Sequence, residues 1–226
     1  MTAPRANLAV VSRRSEPADS LDYFPTPPWA TRALMESEAV PSRERRSVHE
    51  PCCGEGHMAA TLAEYFEEVV ASDVFPYGYG TVADYLAPDA EPVHAQWVIT
   101  NPPFNAAPSV LKRALDEAGC GVALLLRSVW MHGDRRWREI FSRTPPVFVM
   151  AFAERVPMAK GRWDPELSTA TDYSWFVWQT RSRTSIGTAL RWIPPGRRQA
   201  LTRPDDYDRF AAARPAPLLD AMEPAS

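Results

Sequence analysis

The segment Asn101-Pro102-Pro103-Phe104 directly follows the apolar run at 95–100 and is the most specific chemical feature of the chain. Two prolines end the strand and stiffen the turn. Such a turn aims two acceptors, the Asn101 side-chain oxygen and the Pro102 carbonyl, and presents the ring of Phe104 beside them. That set suits a planar nitrogen, an amide or an exocyclic amino group, whose lone pair is conjugated and poorly nucleophilic. The acceptors hold its N–H groups and favour a pyramidal nitrogen, and the aromatic ring stacks on the substrate plane. Taken alone, the same residues also read as a simple strand terminator.

Three more strand ends carry polar groups upstream. Glu50-Pro51-Cys52-Cys53-Gly54-Glu55-Gly56 leaves a short strand and enters a helix. Two glycines permit a tight turn and close approach of a ligand to the backbone. A dinucleotide fingerprint wants a third glycine, and Ala59 stands there; a plain strand–helix turn explains the spacing equally well. Asp73 ends the next apolar strand, 17 residues after Gly56, a distance that suits an acid binding ribose hydroxyls. Asp84 reads alone as a loop acid, although its carboxylate could accept from a nucleobase amino group.

These residues need elements to hold them. Short apolar runs at 47–50, 68–72, 95–100 and 120–126 read as strands, the last as a central strand buried on both faces. Helical spacing marks 28–39, 56–66, 107–118 and 134–142. Aromatic strands follow at 146–152 and 173–179, joined by a polar loop of about 20 residues, a length that is usually functional or disordered. Trp175 and Trp178 are expected to pack as strand core, and Trp130 and Trp137 as packing or helix-face residues. Strands alternating with helices predict an open α/β sheet, with the ligand crevice outside the strands' carboxyl ends. Residues 1–20 read as a disordered arm, 21–203 as one catalytic domain, and 204–226 as a mostly flexible tail.

Composition narrows the class. Among 226 residues, three cysteines make no disulfide framework, so a reducing, cytoplasmic setting is expected. No apolar stretch reaches the roughly 18 residues of a membrane helix, and the N-terminus reads as neither signal peptide nor anchor. The net charge of −3 conceals a division. Residues 48–126 carry two basic and eleven acidic residues, whereas 127–203 carry fourteen basic and six acidic ones. A basic segment of this kind suits a polyanion-facing surface, or simply the solvation of an arginine-rich protein.

In order, Glu50-Pro51-x-x-Gly54-x-Gly56, Asp73, Asp84 and Asn101-Pro102-Pro103-Phe104 resemble the motifs of class I S-adenosylmethionine-dependent methyltransferases acting on an amino or amide nitrogen. The upstream segment Asp22-Tyr23-Phe24-Pro25-Thr26-Pro27 is similar to the cofactor motif that precedes the glycine loop in N6-adenine DNA methyltransferases of gamma-type order, among them small phage and prophage enzymes. The resemblance spans roughly residues 20–180.

The resemblance implies a Rossmann-like α/β fold, mostly parallel with an antiparallel last strand. It implies that Glu50, Pro51, Cys53, Gly54 and Gly56 hold the methionine part of S-adenosylmethionine, with Phe24, Pro25 and Thr26 closing over it. Asp73 matches the ribose-binding acid and Asp84 the acid that contacts the cofactor's adenine. Asn101, Pro102, Pro103 and Phe104 match the target-nitrogen site; no metal is implied. An adenine inside a duplex would have to be flipped out to reach such a site. Arg155, Lys160, Arg162, Arg181 and Arg183 are the phosphate-contact candidates, and Trp163 or Tyr173 the base-stacking ones. Only ten residues separate Asp73 from Asp84, so the third strand should be stunted. No separate recognition domain is expected after the last strand, so selectivity should be short, weak or supplied by a dimer partner. The expected activity is methylation of adenine N6 in DNA. The alternatives are the same chemistry on RNA or on a protein glutamine amide, and a subunit that binds without catalysing.

Overall fold

The computed structural model describes residues 23–164, 169–180 and 187–210. Eight strands form one sheet: β1 (Ser47–Glu50), β2 (Glu68–Asp73), β3 (Thr81–Val82), β4 (Trp97–Thr100), β5 (Gly121–Arg127), β6 (Phe148–Phe152), β7 (Tyr173–Gln179) and β8 (Ala189–Ile193). Their spatial order is β3-β2-β1-β4-β5-β7-β6-β8. Pairing is parallel throughout, except that β7 runs antiparallel to both β5 and β6. This is the class I methyltransferase-like sheet, with the antiparallel strand seventh. Beyond it in sequence lies β8, a parallel edge strand on β6 that the sequence pattern did not reveal. As the short interval before Asp84 predicted, β3 has only two residues.

The strand residues alternate between two cores, which follows from the two-residue period of a pleated strand. Trp97 and Ile99 of β4, Ala123 and Leu125 of β5, and Trp175 and Val177 of β7 face one core. Helices α1 (Pro28–Met35), α2 (His57–Leu62) and α5 (Arg197–Leu201) contribute to that core. Val98, Val122, Leu124, Leu126, Phe176 and Trp178 face the other, covered by α3 (Ala107–Glu117) and by Trp130 and Ile140. Both faces of β4, β5 and β7 are thus dry, and the strand order reverses between β1 and β4. In open α/β sheets that switch point is where ligands bind.

Residues 204–210, expected to begin a linker-like tail, instead form α6 (Pro204–Phe210). Arg32 of α1 explains the difference. It is 1% exposed and donates to both oxygens of Asp206 (2.6 and 2.7 Å), to both oxygens of Glu64 (2.7 and 2.8 Å) and to the Leu201 carbonyl (2.7 Å). All five guanidinium N–H groups are used, and Asp206 is wholly buried. This node fixes α6 to the body. The expected arm at 1–20 and the tail beyond residue 210 lie outside the described residues. Among the described residues, no helix is long and apolar enough to cross a membrane.

Candidate functional site

At the switch point, one cleft is lined by Phe24, Pro25, Thr26, Glu50, Pro51, Cys53, Asp73, Asp84, Asn101 and Pro103. Ten of the fourteen residues assigned from sequence to cofactor or target nitrogen therefore meet in one place. Gly54 and Gly56 form the turn beside the cleft, Pro102 is buried between the two lining residues Asn101 and Pro103, and Phe104 packs near Phe24 of the lining.

Glu50 ends β1 on the cleft floor. It is 2% exposed, and its Oε2 is buried with no hydrogen-bond partner. Burial, reinforced by the nearby negative Asp73, holds its carboxyl well above the usual range. An unpaired buried acceptor is costly; here it suits a cationic ligand group. Gly54 and Gly56 adopt left-handed backbone, at φ +52° and +84°. A Cβ on Gly54 would sit 2.2 Å from the Tyr23 ring, and one on Gly56 would sit 2.4 Å from Tyr79. Aromatic rings thus cover the bare turn, and Tyr23 packs on Tyr77 at 4.6 Å between centroids.

Asp73 ends β2, where its two oxygens accept from the backbone N–H groups of Gly54 (2.8 Å) and Phe75 (3.0 Å). A carboxylate has lone pairs beyond these two. Asp84 turns its own loop by accepting from Leu86 N–H at 2.9 Å. That loop is anchored by Tyr85, which donates to Glu117 (2.9 Å) beneath the Arg113 guanidinium. Val74 and Leu86, 61% and 38% exposed, line the cleft alongside Asp73 and Asp84. Apolar walls with a carboxylate beside them suit a flat heterocycle.

Asn101 directly follows β4, and its Nδ2 donates to the Phe24 carbonyl (2.8 Å) and the Thr26 hydroxyl (3.2 Å). A carbonyl can only accept, so Nδ2 must face it, and Oδ1, an acceptor, is turned the other way. The upstream segment and the Asn-Pro-Pro-Phe turn therefore form one unit. The Pro103 carbonyl accepts from Ala106 and Ala107, launching α3. Phe104 lies 6.1 Å from Phe24 and 6.3 Å from Tyr173 between ring centroids.

Two residues missed in the sequence also bear on the cleft. His57 closes a directional hydrogen-bond chain beside it. Glu55 N–H donates to Tyr23 Oη (3.2 Å), Tyr23 Oη meets His57 Nδ1 (3.3 Å), and His57 Nε2 meets the Phe210 carbonyl (3.1 Å). The carbonyl end requires Nε2–H, and in the neutral ring that burial favours, Tyr23 donates to Nδ1. Burial lowers the His57 pKa accordingly. Arg127, last in β5, places its guanidinium 4.3 Å from the Phe104 ring centroid. Burial pushes the Cys53 thiol up to about 12, so it is not a thiolate at neutral pH.

The expected nucleic-acid residues fare less well. Trp163 is 3% exposed and packs on Tyr207 and Phe210 of α6, which removes it as a base-stacking platform. Tyr173 is also 3% exposed and braces Phe104 from within the core. Arg155 is exposed and bound to the Thr169 carbonyl, with Asp172 at 3.5 Å. Arg162 lies 3.7 Å from Asp164, on a second cavity behind the glycine turn. Lys160 is half-buried beside Gly161, whose N–H donates to the Tyr23 carbonyl. Arg181 and Arg183 lie outside the described residues.

No family model matches the sequence, and no curated protein matches it. Solved structures match the fold. A modification subunit of a putative type I restriction enzyme from Vibrio vulnificus superposes with a TM-score of 0.54 at 14% identity, over 83% of this chain and 51% of that one. A putative RNA methyltransferase from Pyrococcus horikoshii gives 0.52 at 14% identity, over 73% and 90%. A predicted O-methyltransferase from Agrobacterium tumefaciens gives 0.51 at 14% identity, over 83% and 99%. The chain spans about half the length of the first of these. It has the class I methyltransferase fold, with a cleft at the position where that sheet binds ligands.

Proposed function

We propose that the protein is an S-adenosylmethionine-dependent methyltransferase acting on the N6 amino group of adenine in DNA. The observation that carries this reading is the Asn101 amide, clamped by Phe24 and Thr26 so that its acceptor oxygen is turned from them. A residue that only stopped a strand would need no such clamp.

The cleft suits the cofactor's parts. Glu50 offers its unpartnered buried carboxyl to the ammonium, Asp73 its remaining lone pairs to the ribose, and Asp84 with Val74 and Leu86 a slot for the adenine. When bound, S-adenosylmethionine supplies a methyl group on a cationic sulfur with a good leaving group. The protein supplies orientation and electrostatics. Asn101 Oδ1 and the Pro102 carbonyl accept the target N–H groups, which localises the nitrogen lone pair, and Phe104 supports the base plane. One N–H proton of the methylated amine goes to solvent. Sequence selectivity beyond the target base is expected to be short, because the proposed contacts all belong to the catalytic core.

Incubation with labelled S-adenosylmethionine and, separately, plasmid DNA, total RNA and ribosomal proteins tests this. Label in DNA adenine is expected. Label only in RNA or only in protein would transfer the same chemistry to that substrate and overturn the DNA assignment.

A further inference from the structure

The segment after β5 leaves apolar side chains in water. Ser128–Met131 forms a 3-10 turn, then α4 (Asp134–Arg136) runs into a π-turn at Trp137–Phe141, closed by Ser142 N–H on the Trp137 carbonyl at 2.9 Å. In an α-helix, the spacing of Trp137 from Ile140 and Phe141 would bring all three to one face. The wider turn separates them. Ile140 is 9% exposed and Phe141 packs edge-on against Trp130, whereas Trp137 is 60% exposed. Val129 and Met131 are 63% and 39% exposed. Single π-turns recur at functional sites, and exposed large aromatics at contact sites.

The charge around these residues selects the partner. Residues 127–143 carry five arginines against Asp134 and Glu139. Arg135 and Arg138 are 86% and 73% exposed and, among the described residues, pair with Glu139 and Asp134, surface pairs of the weak, exchangeable kind. The strip begins at the target-nitrogen site, because Arg127 is the residue over Phe104. Basic side chains interleaved with an exposed aromatic match a nucleic-acid strand, with phosphates on the arginines and a base on the ring.

We propose that the 127–141 strip, with Trp137 at its centre, is where the nucleic-acid substrate docks. This rests on the nucleic-acid reading above and moves the interface from the loop between β6 and β7 to the segment that leaves the carboxyl end of β5. Trp137 stacks on a base next to the extruded nucleotide, and Arg135 and Arg138 exchange their carboxylate partners for phosphates.

Fluorescence anisotropy of the full chain with a labelled short duplex and its single strand tests it, using wild type, Trp137→Ala and Arg135→Gln/Arg138→Gln. Trp137→Ala should weaken binding about tenfold or more. The double variant should flatten the dependence of log affinity on log salt by about one to two. Melting temperature and cofactor affinity should not change in either, because these side chains are solvent-exposed and away from the cleft. If wild type binds and both variants bind equally well, the strip is wrong while the nucleic-acid reading stands. If Trp137→Ala instead changes the sedimenting species with nucleic-acid affinity intact, the surface is a protein contact and the proposal fails. If wild type binds neither probe at low salt, the nucleic-acid reading itself fails and takes the strip with it.

Discussion

Replacing Glu50 with Gln should move two quantities in opposite directions. The side chain is buried, its Oε2 is unpartnered, and burial together with Asp73 raises its pKa well above 4.5. In the unfolded chain the carboxyl ionises normally. As pH rises above 4.5, the unfolded state therefore loses a proton that the folded state keeps. The stabilising contribution is complete below the unfolded pKa and lost as pH rises through the folded one. The cost grows by about 1.4 kcal/mol per pH unit across that window. Glu50→Gln does not titrate, so its stability relative to wild type should climb with that slope and then level off. Cofactor affinity should fall, because a buried carboxylate paired with a cation contributes strongly. Truncating one partner of such a pair costs about 2–5 kcal/mol, or about 30- to 5,000-fold in Kd. Wild type should also release a proton on binding the cofactor, as the ammonium favours the ionised carboxyl; Glu50→Gln should not. Denaturant titrations from acid to neutral pH, and calorimetry in buffers of different ionisation enthalpy, read both effects. A flat stability difference with unchanged affinity would refute the assignment of Glu50 as the buried carboxyl that ionises to pair with a cationic ligand.

Further outcomes follow from other parts of the molecule. Asn101→Ala should lower kcat about 100-fold or more while leaving cofactor affinity within a few-fold, because it removes an acceptor aimed at the target nitrogen; single-turnover rates and calorimetry separate the two. Arg32→Met should destabilise the protein by about 3–5 kcal/mol, since it strands the buried Asp206 carboxylate; a loss under about 1 kcal/mol in urea melts would contradict the role of that node. His49 is depressed to about 4 by burial and by the Arg113 charge, so the unfolded state takes up a proton first as pH falls below 6.5. Its contribution to stability is therefore lost between pH 6.5 and about 4. His49→Gln should lower the acid-limb slope by about 1.4 kcal/mol per pH unit, measured by urea melts.

The strand ends were legible because each is a local event. An apolar run, then a proline, glycine or acid, appears within a few residues, and the topology gathers such ends into one crevice. The ten-residue interval before Asp84 foretold the two-residue β3 for the same reason. What escaped depends on partners far along the chain. Asp206 looks like a surface acid until Arg32, 174 residues away, is seen around it. Trp163 looks available for stacking until α6 folds over it. Leu190 and Trp192 are exposed on β8, so that edge strand has no clean alternation to read. Trp137 shares helical spacing with buried neighbours, and only the π-turn moves it outward. The cofactor half of the cleft was thus readable from order and spacing. The proposed nucleic-acid face was readable only as a net charge, and locating a candidate for it required the fold.

The central claim is methyl transfer to adenine N6 in DNA by a site built around Asn101. Its most direct test is nucleoside analysis of unmethylated plasmid DNA after incubation with S-adenosylmethionine and either wild type or Asn101→Ala. N6-methyladenosine as the deoxynucleoside is expected with wild type and absent with the variant. Its absence with wild type, or its formation at equal rate by Asn101→Ala, would contradict the claim.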